Sequence, residues 1–271
     1  MALTAIVLLV LALYMVQIVL QETSCFGFNL RGIDRSRTRR GTKGRKMRNR
    51  KPDTVLNPEN IRRYYDWLGK TLDSQGFYEN PALTDLREHF ELQKAKSVIE
   101  FGCGTGRFAA ELLEDELPPG AHYLGIDISG VMVELAQARL QRFGDRANIM
   151  QSNGALHVNA RDAGTERFVL TYVLDLLSQN DAKALFGEAH RLLRPGGLLG
   201  ISSLAPGTAL PANLVSTIWT ALFRLSPAIT GGCRPINAIA LLDTAQWEIR
   251  HHQRLAPFGV CSEVIVASKR L

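Results

Sequence analysis

Ser97-Val98-Ile99-Glu100-Phe101-Gly102-Cys103-Gly104-Thr105-Gly106 is the stretch on which the fold of this chain depends. Its first half is an apolar run of strand length, interrupted by one acid. Its second half places three glycines within five residues, and Arg107 to Leu113 then follow helical spacing. A chain passing from a buried strand straight into a helix must turn sharply, and glycine supplies the positive φ such turns need. A missing Cβ also lets a ligand come close to the backbone. In an open α/β sheet this turn, at the carboxyl end of a strand, borders the ligand crevice.

Outward from this turn the pattern alternates. His122 to Ile126, Asn148 to Gln151, Arg167 to Val173 and Leu198 to Leu204 read as strands. Gly130 to Phe143 and Asp181 to Leu193 between them read as helices. Alternating strands and helices imply βαβ units on a parallel sheet, and right-handed crossovers put helices on both faces. Leu214 to Leu225 has amphipathic helical spacing, while Trp247 to Arg254 and Cys261 to Ser268 read as two strands joined at Pro257-Phe258-Gly259. Upstream, Pro58 and Glu59 open a helix with Ile61, Tyr64, Tyr65 and Leu68 on one face. A second helix is expected over Leu83 to Leu92, with Pro81 in its first turn. No internal repeat is apparent. The expected fold is an α/β, Rossmann-like, doubly wound and mostly parallel seven-stranded sheet with a C-terminal antiparallel hairpin, preceded by an N-terminal transmembrane helix.

The glycine spacing excludes one common cofactor. A dinucleotide fingerprint is G-x-G-x-x-G, whereas here the third glycine, Gly106, comes one residue too early and an acid, Glu100, precedes the first. Glu-x-Gly-x-Gly-x-Gly resembles the cofactor loop of class I S-adenosylmethionine-dependent methyltransferases. Two further features match that family. The next strand ends in Asp127, where a carboxylate is placed to accept both ribose hydroxyls; a turn or helix-cap aspartate is the plainer reading of the same residue. Pro195-Gly196-Gly197 joins a helix to a strand as the family's connection beneath the sheet does.

The resemblance covers residues 97–204 well and is closest to small-molecule C-methyltransferases of ubiquinone and menaquinone synthesis. It implies S-adenosylmethionine as cofactor, with Glu100, Gly102, Cys103, Gly104 and Gly106 at the methionine end and Asp127 at the ribose. Ile128 would lie on the adenine face, Asn153 and Gly154 at the adenine edge, and Tyr172 at the strand end facing the methyl group. Asn153 departs from the family, which has an acid there. Arg63-Tyr64-Tyr65-Asp66 resembles the aromatic-acid segment that covers the cofactor in that group; a core helix would need the two tyrosines equally.

Methyl transfer requires positioning more than protein chemistry. A general base is needed if the acceptor is a phenol or a carbon acid. Asp175 and His157 are the candidates by position; each also has an ordinary reading, as a helix cap and as a loop residue. The irregular stretch Pro227 to Ile236 is placed to shape an acceptor pocket. Thr171 to Asp175 lacks the Asn/Asp-Pro-Pro-aromatic motif of nucleic-acid amino methyltransferases.

Composition adds compartment and partners. The four cysteines, Cys25, Cys103, Cys233 and Cys261, form no close pair, so neither a disulfide framework nor a zinc site is expected, and no metal is assigned. The net charge of +6 is local: residues 31–51 hold eleven Lys or Arg and one acid, leaving 21 basic and 25 acidic residues elsewhere. The folded part therefore lacks the broad basic face that nucleic acid demands. Residues 2–20 carry no charge and would rise about 28 Å as a helix, close to the roughly 30 Å of a bilayer core. A signal peptide would want a basic n-region and a small-residue cleavage site.

The expected layout is a transmembrane anchor at 1–21, a basic linker at 22–55, a helical lid at 56–95 and the cofactor-binding domain at 96–271. Basic residues flanking the anchor place that domain on the cytosolic face of a membrane and suit anionic head groups. The leading reading is a membrane-anchored enzyme methylating a small hydrophobic or lipidic acceptor. A catalytically weak S-adenosylmethionine-binding scaffold and a protein methyltransferase are the alternatives.

Overall fold

The structure, a computed structural model, describes residues 55–270. The expected anchor and all but the last residue of the basic linker lie outside them. Among the described residues, no helix is long and apolar enough to cross a membrane.

Seven strands form one sheet in the order β3-β2-β1-β4-β5-β7-β6. They are β1 (Ser97–Phe101), β2 (His122–Asp127), β3 (Ala147–Gln151), β4 (Thr165–Thr171), β5 (Leu193–Leu204), β6 (Trp247–Leu255) and β7 (Ser262–Lys269). The first five are parallel. β7 inserts antiparallel between β5 and β6, so the C-terminal hairpin forms that edge.

Period-two alternation gives the sheet a core on each face. Val98, Val169, Val264 and Val266 point into one; Ile99, Phe168, Leu170, Ile201 and Ile265 point into the other. Helix α1 (Pro58–Leu68) is capped by Asn57, whose side chain accepts from the Asn60 amide at 2.8 Å. Helices α2 (Gly76–His89), α3 (Arg107–Glu111) and α4 (Gly130–Leu140) bury their apolar sides in the first core, and α5 (Gln179–Leu192) in the second. α6 (Ala212–Leu225) follows β5. Sequence order changes direction between β1 and β4, so the carboxyl ends of these two strands open the crevice of a doubly wound sheet.

Two expectations are corrected. Helix α2 begins seven residues before the expected start at Leu83, because the 3-10 segment Gly69–Gln75 feeds directly into it and leaves Pro81 inside the helix. The Pro195-Gly196-Gly197 connection is not a plain turn. β5 starts at once at Leu193, paired with Thr165, and its next registered pair is Leu198 with Arg167, so residues 194–197 bulge out of the ladder. Within 56–95, Leu86 and Phe90 pack in the sheet's core. Buried Arg167 fixes that junction, donating to the carbonyls of Phe90 at 2.8 Å and Glu91 at 2.7 Å.

Candidate functional site

The glycine turn at the end of β1 is pinned to β2. Gly102 and Cys103 both donate to the Ile126 carbonyl, at 2.7 and 3.0 Å. Gly102 has φ +82°, and a Cβ there would come within 2.1 Å of Val173 Cγ2. The close approach that makes glycine obligatory is thus to the neighbouring strand end. Gly106, at φ +71°, abuts Ala136 of α4, where a Cβ would sit 3.0 Å from the Ala136 Cβ.

Asp127 ends β2 beneath the turn. Its carboxylate accepts from the Gly104 amide at 2.9 Å and the Ser129 amide at 2.9 Å. Burial nevertheless raises its pKa, with those amides and the nearby Ile128 amide pulling the other way. Two backbone donors fix the carboxylate, and each oxygen retains a lone pair.

Glu100 lies just before the turn and is 1% exposed. Tyr123 Oη donates to one of its oxygens at 2.6 Å and Thr171 Oγ1 to the other at 2.7 Å. Burial pushes its pKa up to about 7 against those hydrogen bonds. Glu100 therefore braces β1, β2 and β4 together under the loop as well as lining the cleft. Cys103 is a buried free thiol whose pKa burial raises well above the usual range.

These groups border a cleft of about 1260 Å³ counted out to its open mouth. Ile128, Ser152, Gly154 and Leu156 line the side beyond Asp127, and Tyr172, Val173 and Asp175 the end of β4. Helix α1 contributes Pro58, Ile61 and Tyr65 to the wall. It is held there by Asp66, which accepts from Ser129 Oγ at 2.6 Å and the Val131 amide at 3.4 Å, at the N-terminus of α4. Of the aromatic-acid segment, Tyr65 and Asp66 thus serve the cleft, whereas Tyr64 packs over Gly231.

Asn153 is exposed and its amide oxygen accepts from the Ala155 amide at 3.0 Å; it lines an outer groove that shares Pro58, Ile128 and Ser152 with the cleft, while Ser152 and Gly154 line the cleft itself. His157 is exposed and lies 3.2 Å from Glu188, away from the cleft, so it is no base for this site. Asp175 is fully buried on the cleft wall. Tyr172 adopts φ +54° and places its hydroxyl 2.8 Å from Ser262 Oγ on β7.

The structure adds residues that local patterns did not mark. Tyr78 and Glu79 reach the cleft from α2, and Cys233 reaches it from the irregular stretch 227–236. Glu79 pairs with Arg107 at 2.9 Å, yet burial pushes its pKa up to about 7. Tyr78 and Glu79 precede the helix expected from Leu83, and Cys233 belongs to the irregular stretch expected to shape an acceptor pocket. Outside the cleft, Asp85, His89 and His251 come together, with the two imidazoles stacked at 3.6 Å and one ligand atom of each residue within 4.8 Å of the others. The cysteine count could not reveal that grouping.

The donor set suits S-adenosylmethionine. A fixed carboxylate faces the place of a diol, Ile128 and Leu156 offer apolar area for a base, and the Gly102–Gly104 backbone offers polar groups to an amino acid end. Residues 98–197 match a family model described as a methyltransferase domain. The chain is similar to the tRNA N(3)-methylcytidine methyltransferase Mettl2 of Drosophila melanogaster, 26% identical over 126 residues, which are 45% of this chain and 39% of that protein. It is also similar to a malonyl-(acyl-carrier protein) O-methyltransferase of a Methylovorus species, 27% identical over 165 residues, 57% of this chain and 53% of that one. The matched stretches thus span only 39% and 53% of the length of these relatives. Among solved structures, the (4+2)-cyclase SpnF superposes with a TM-score of 0.60 at 16% identity, over 82% of this chain and 100% of that one. A geranyl diphosphate methyltransferase with GPP and sinefungin gives 0.59 at 16% identity, over 79% and 99%. At these identities the superpositions speak for the fold.

Proposed function

We propose that this chain, a member of the class I S-adenosylmethionine-dependent methyltransferases, transfers the cofactor's methyl group to a small acceptor held at the carboxyl end of β4. The observation that carries the reading is the paired fixing of Asp127 by the Gly104 and Ser129 amides, directly under the glycine turn. S-adenosylmethionine, when bound, supplies a methyl group on a positively charged sulfur that leaves as a neutral thioether. Asp127 would accept the ribose hydroxyls with its remaining lone pairs. The Gly102 to Gly104 backbone would hold the amino acid end, and Ile128 with Leu156 the base. Glu100 keeps the three strands in register beneath the loop. Helix α1 excludes water from above through Ile61 and Tyr65, so that the charges within act at low dielectric.

A hydrophobic or lipidic acceptor, reached from a membrane to which residues 2–20 anchor the chain, is the finer form of this proposal. The uncharged run 2–20 and the basic run 31–51 support it. Isothermal titration tests the core claim: Asp127→Ala should weaken S-adenosylmethionine binding by at least about tenfold. Equal affinity in both proteins would sink it. Incubation of the full chain with methyl-labelled cofactor and a membrane lipid extract tests the acceptor. Label appearing in polypeptide alone overturns the small-molecule form. Loss of membrane association when residues 1–21 are removed is the expected sign of the anchor.

A further inference from the structure

Beyond the methyl-facing strand end, the cleft contains a buried acid short of partners. Asp175 is 0% exposed, and among the described residues neither carboxylate oxygen meets a donor at full hydrogen-bond geometry; only its own amide, the Cys233 thiol and the Arg234 charge favour its ionised form. Burying a carboxylate in this way is costly unless something fills the gap. The surrounding chain is arranged to hold it there. The Arg234 amide donates to the Asp175 carbonyl at 3.1 Å, and the guanidinium donates to the carbonyls of Asp175 at 3.2 Å and Leu177 at 2.7 Å. Arg234 thereby clamps the stretch 231–235 to the end of β4 and brings the Cys233 thiol beside the acid. Tyr65 closes over the thiol, its hydroxyl 3.7 Å from Cys233 Sγ. Tyr78 and Tyr172 meet edge to face at 5.9 Å on the same lining.

The charges there are one-sided. Asp73, Glu79, Glu100, Asp127 and Asp175 line the cleft, against Arg107 as the one basic lining residue among the described residues; Arg107 is engaged by Glu79 and Asn80, and Arg234 behind the wall is engaged by the carbonyls of Asp175 and Leu177. An acceptor bearing carboxylate or phosphate would meet repulsion and no free cation. A neutral aromatic molecule would find tyrosine faces and a carboxylate with acceptor capacity to spare.

Resting on the methyltransferase reading, we propose that Asp175 is the acceptor-binding and proton-accepting group of the cleft, and that the acceptor is a neutral, largely aromatic or apolar molecule presenting an O–H or N–H. The acceptor's O–H or N–H bond breaks and its proton passes to an Asp175 oxygen. The electron pair left on the heteroatom forms the bond to the methyl carbon. The carbon–sulfur pair departs with the sulfur of the sulfonium co-substrate as a thioether.

The test uses the full chain saturated with S-adenosylhomocysteine and four probes of one shape: α-naphthol, α-naphthylamine, α-methylnaphthalene and α-naphthoate. Binding of the naphthol or the amine should exceed that of the naphthoate and the methyl compound by at least about tenfold. Whichever of the first two binds tighter distinguishes an O–H from an N–H acceptor. Asp175→Asn should close most of the gap to naphthoate while leaving S-adenosylmethionine affinity within about threefold. Equal binding of naphthoate, or no binding by either donor probe, overturns the proposal. So does an Asp175→Asn variant that loses S-adenosylmethionine as badly as Asp127→Ala, since Asp175 would then serve the cofactor. The probe comparison in the unaltered protein stands even if the variant fails to fold. Failure of the parent reading looks different: the unaltered protein would not bind S-adenosylmethionine at all.

Discussion

Two glycines differ in sign when given a side chain. At Gly102 both the φ of +82° and the 2.1 Å overlap with Val173 oppose a Cβ. Gly102→Ala should destabilise the fold by about 3 kcal/mol, read from urea unfolding, and weaken cofactor binding with it. Gly187, exposed in α5 with nothing within 4 Å of an added Cβ, should behave oppositely. Gly187→Ala should stabilise by up to about 1 kcal/mol through helix propensity. Residue-scale legibility divides along the same line. Glu100, the glycines and Asp127 were readable because turn geometry and strand ends dictate their residue types. His157 lies away from the cleft and Asn153 at its outer groove, because a polar side chain in a loop can satisfy a neighbouring acid or a local amide, and sequence position does not say which. Cys233 was legible only as part of the irregular stretch 227–236, since its proximity to Asp175 depends on the Arg234 clamp across 59 positions of sequence.

Elements were legible where periodicity was strong. All seven strands and the hairpin follow from alternation and turn residues. The start of α2 and the bulge at 194–197 did not, because each depends on what the neighbouring segment does: a 3-10 run that enters without a break, and a ladder that resumes at Leu198. The docking of α1 is the element-scale feature most open to test. Asp66 holds it to the start of α4 through Ser129 and Val131. Asp66→Ala should raise the dissociation constant for S-adenosylmethionine about three- to tenfold, with global stability falling by only about 1 kcal/mol. Titration and denaturation on the same preparation check this. A large stability loss with unchanged affinity would place Asp66 among ordinary helix contacts.

For the molecule as a whole, the buried acids set the response to pH. Burial pushes Glu79, Glu100 and Asp175 up to about 7, and raises Asp127 as well. In the unfolded chain such groups ionise near pH 4. Between about pH 4 and 7 the folded protein therefore holds more protons, and stability falls as pH rises through that window, levelling off above it. His190, lowered by burial, opposes this only below about pH 6.5, where the unfolded chain gains a proton first. The melting temperature without ligand should be higher at pH 6 than at pH 8, measured by differential scanning fluorimetry. A rising profile would show the acids ionising normally. S-adenosylmethionine, bringing positive charge to these acids, should raise the melting temperature more at pH 8 than at pH 6. The same one-sided lining bears on how a turnover ends. On the proposed reaction, the cleft would contain a cationic sulfur and an ionised Asp175 before transfer; afterwards the sulfur would be neutral and the aspartate would carry a proton. Reaction removes both charges, so the spent thioether is held less firmly than the molecule that entered. A site built this way would release its product readily, and S-adenosylhomocysteine should be a weak inhibitor relative to the affinity for S-adenosylmethionine, as inhibition constants measured beside the S-adenosylmethionine dissociation constant would show.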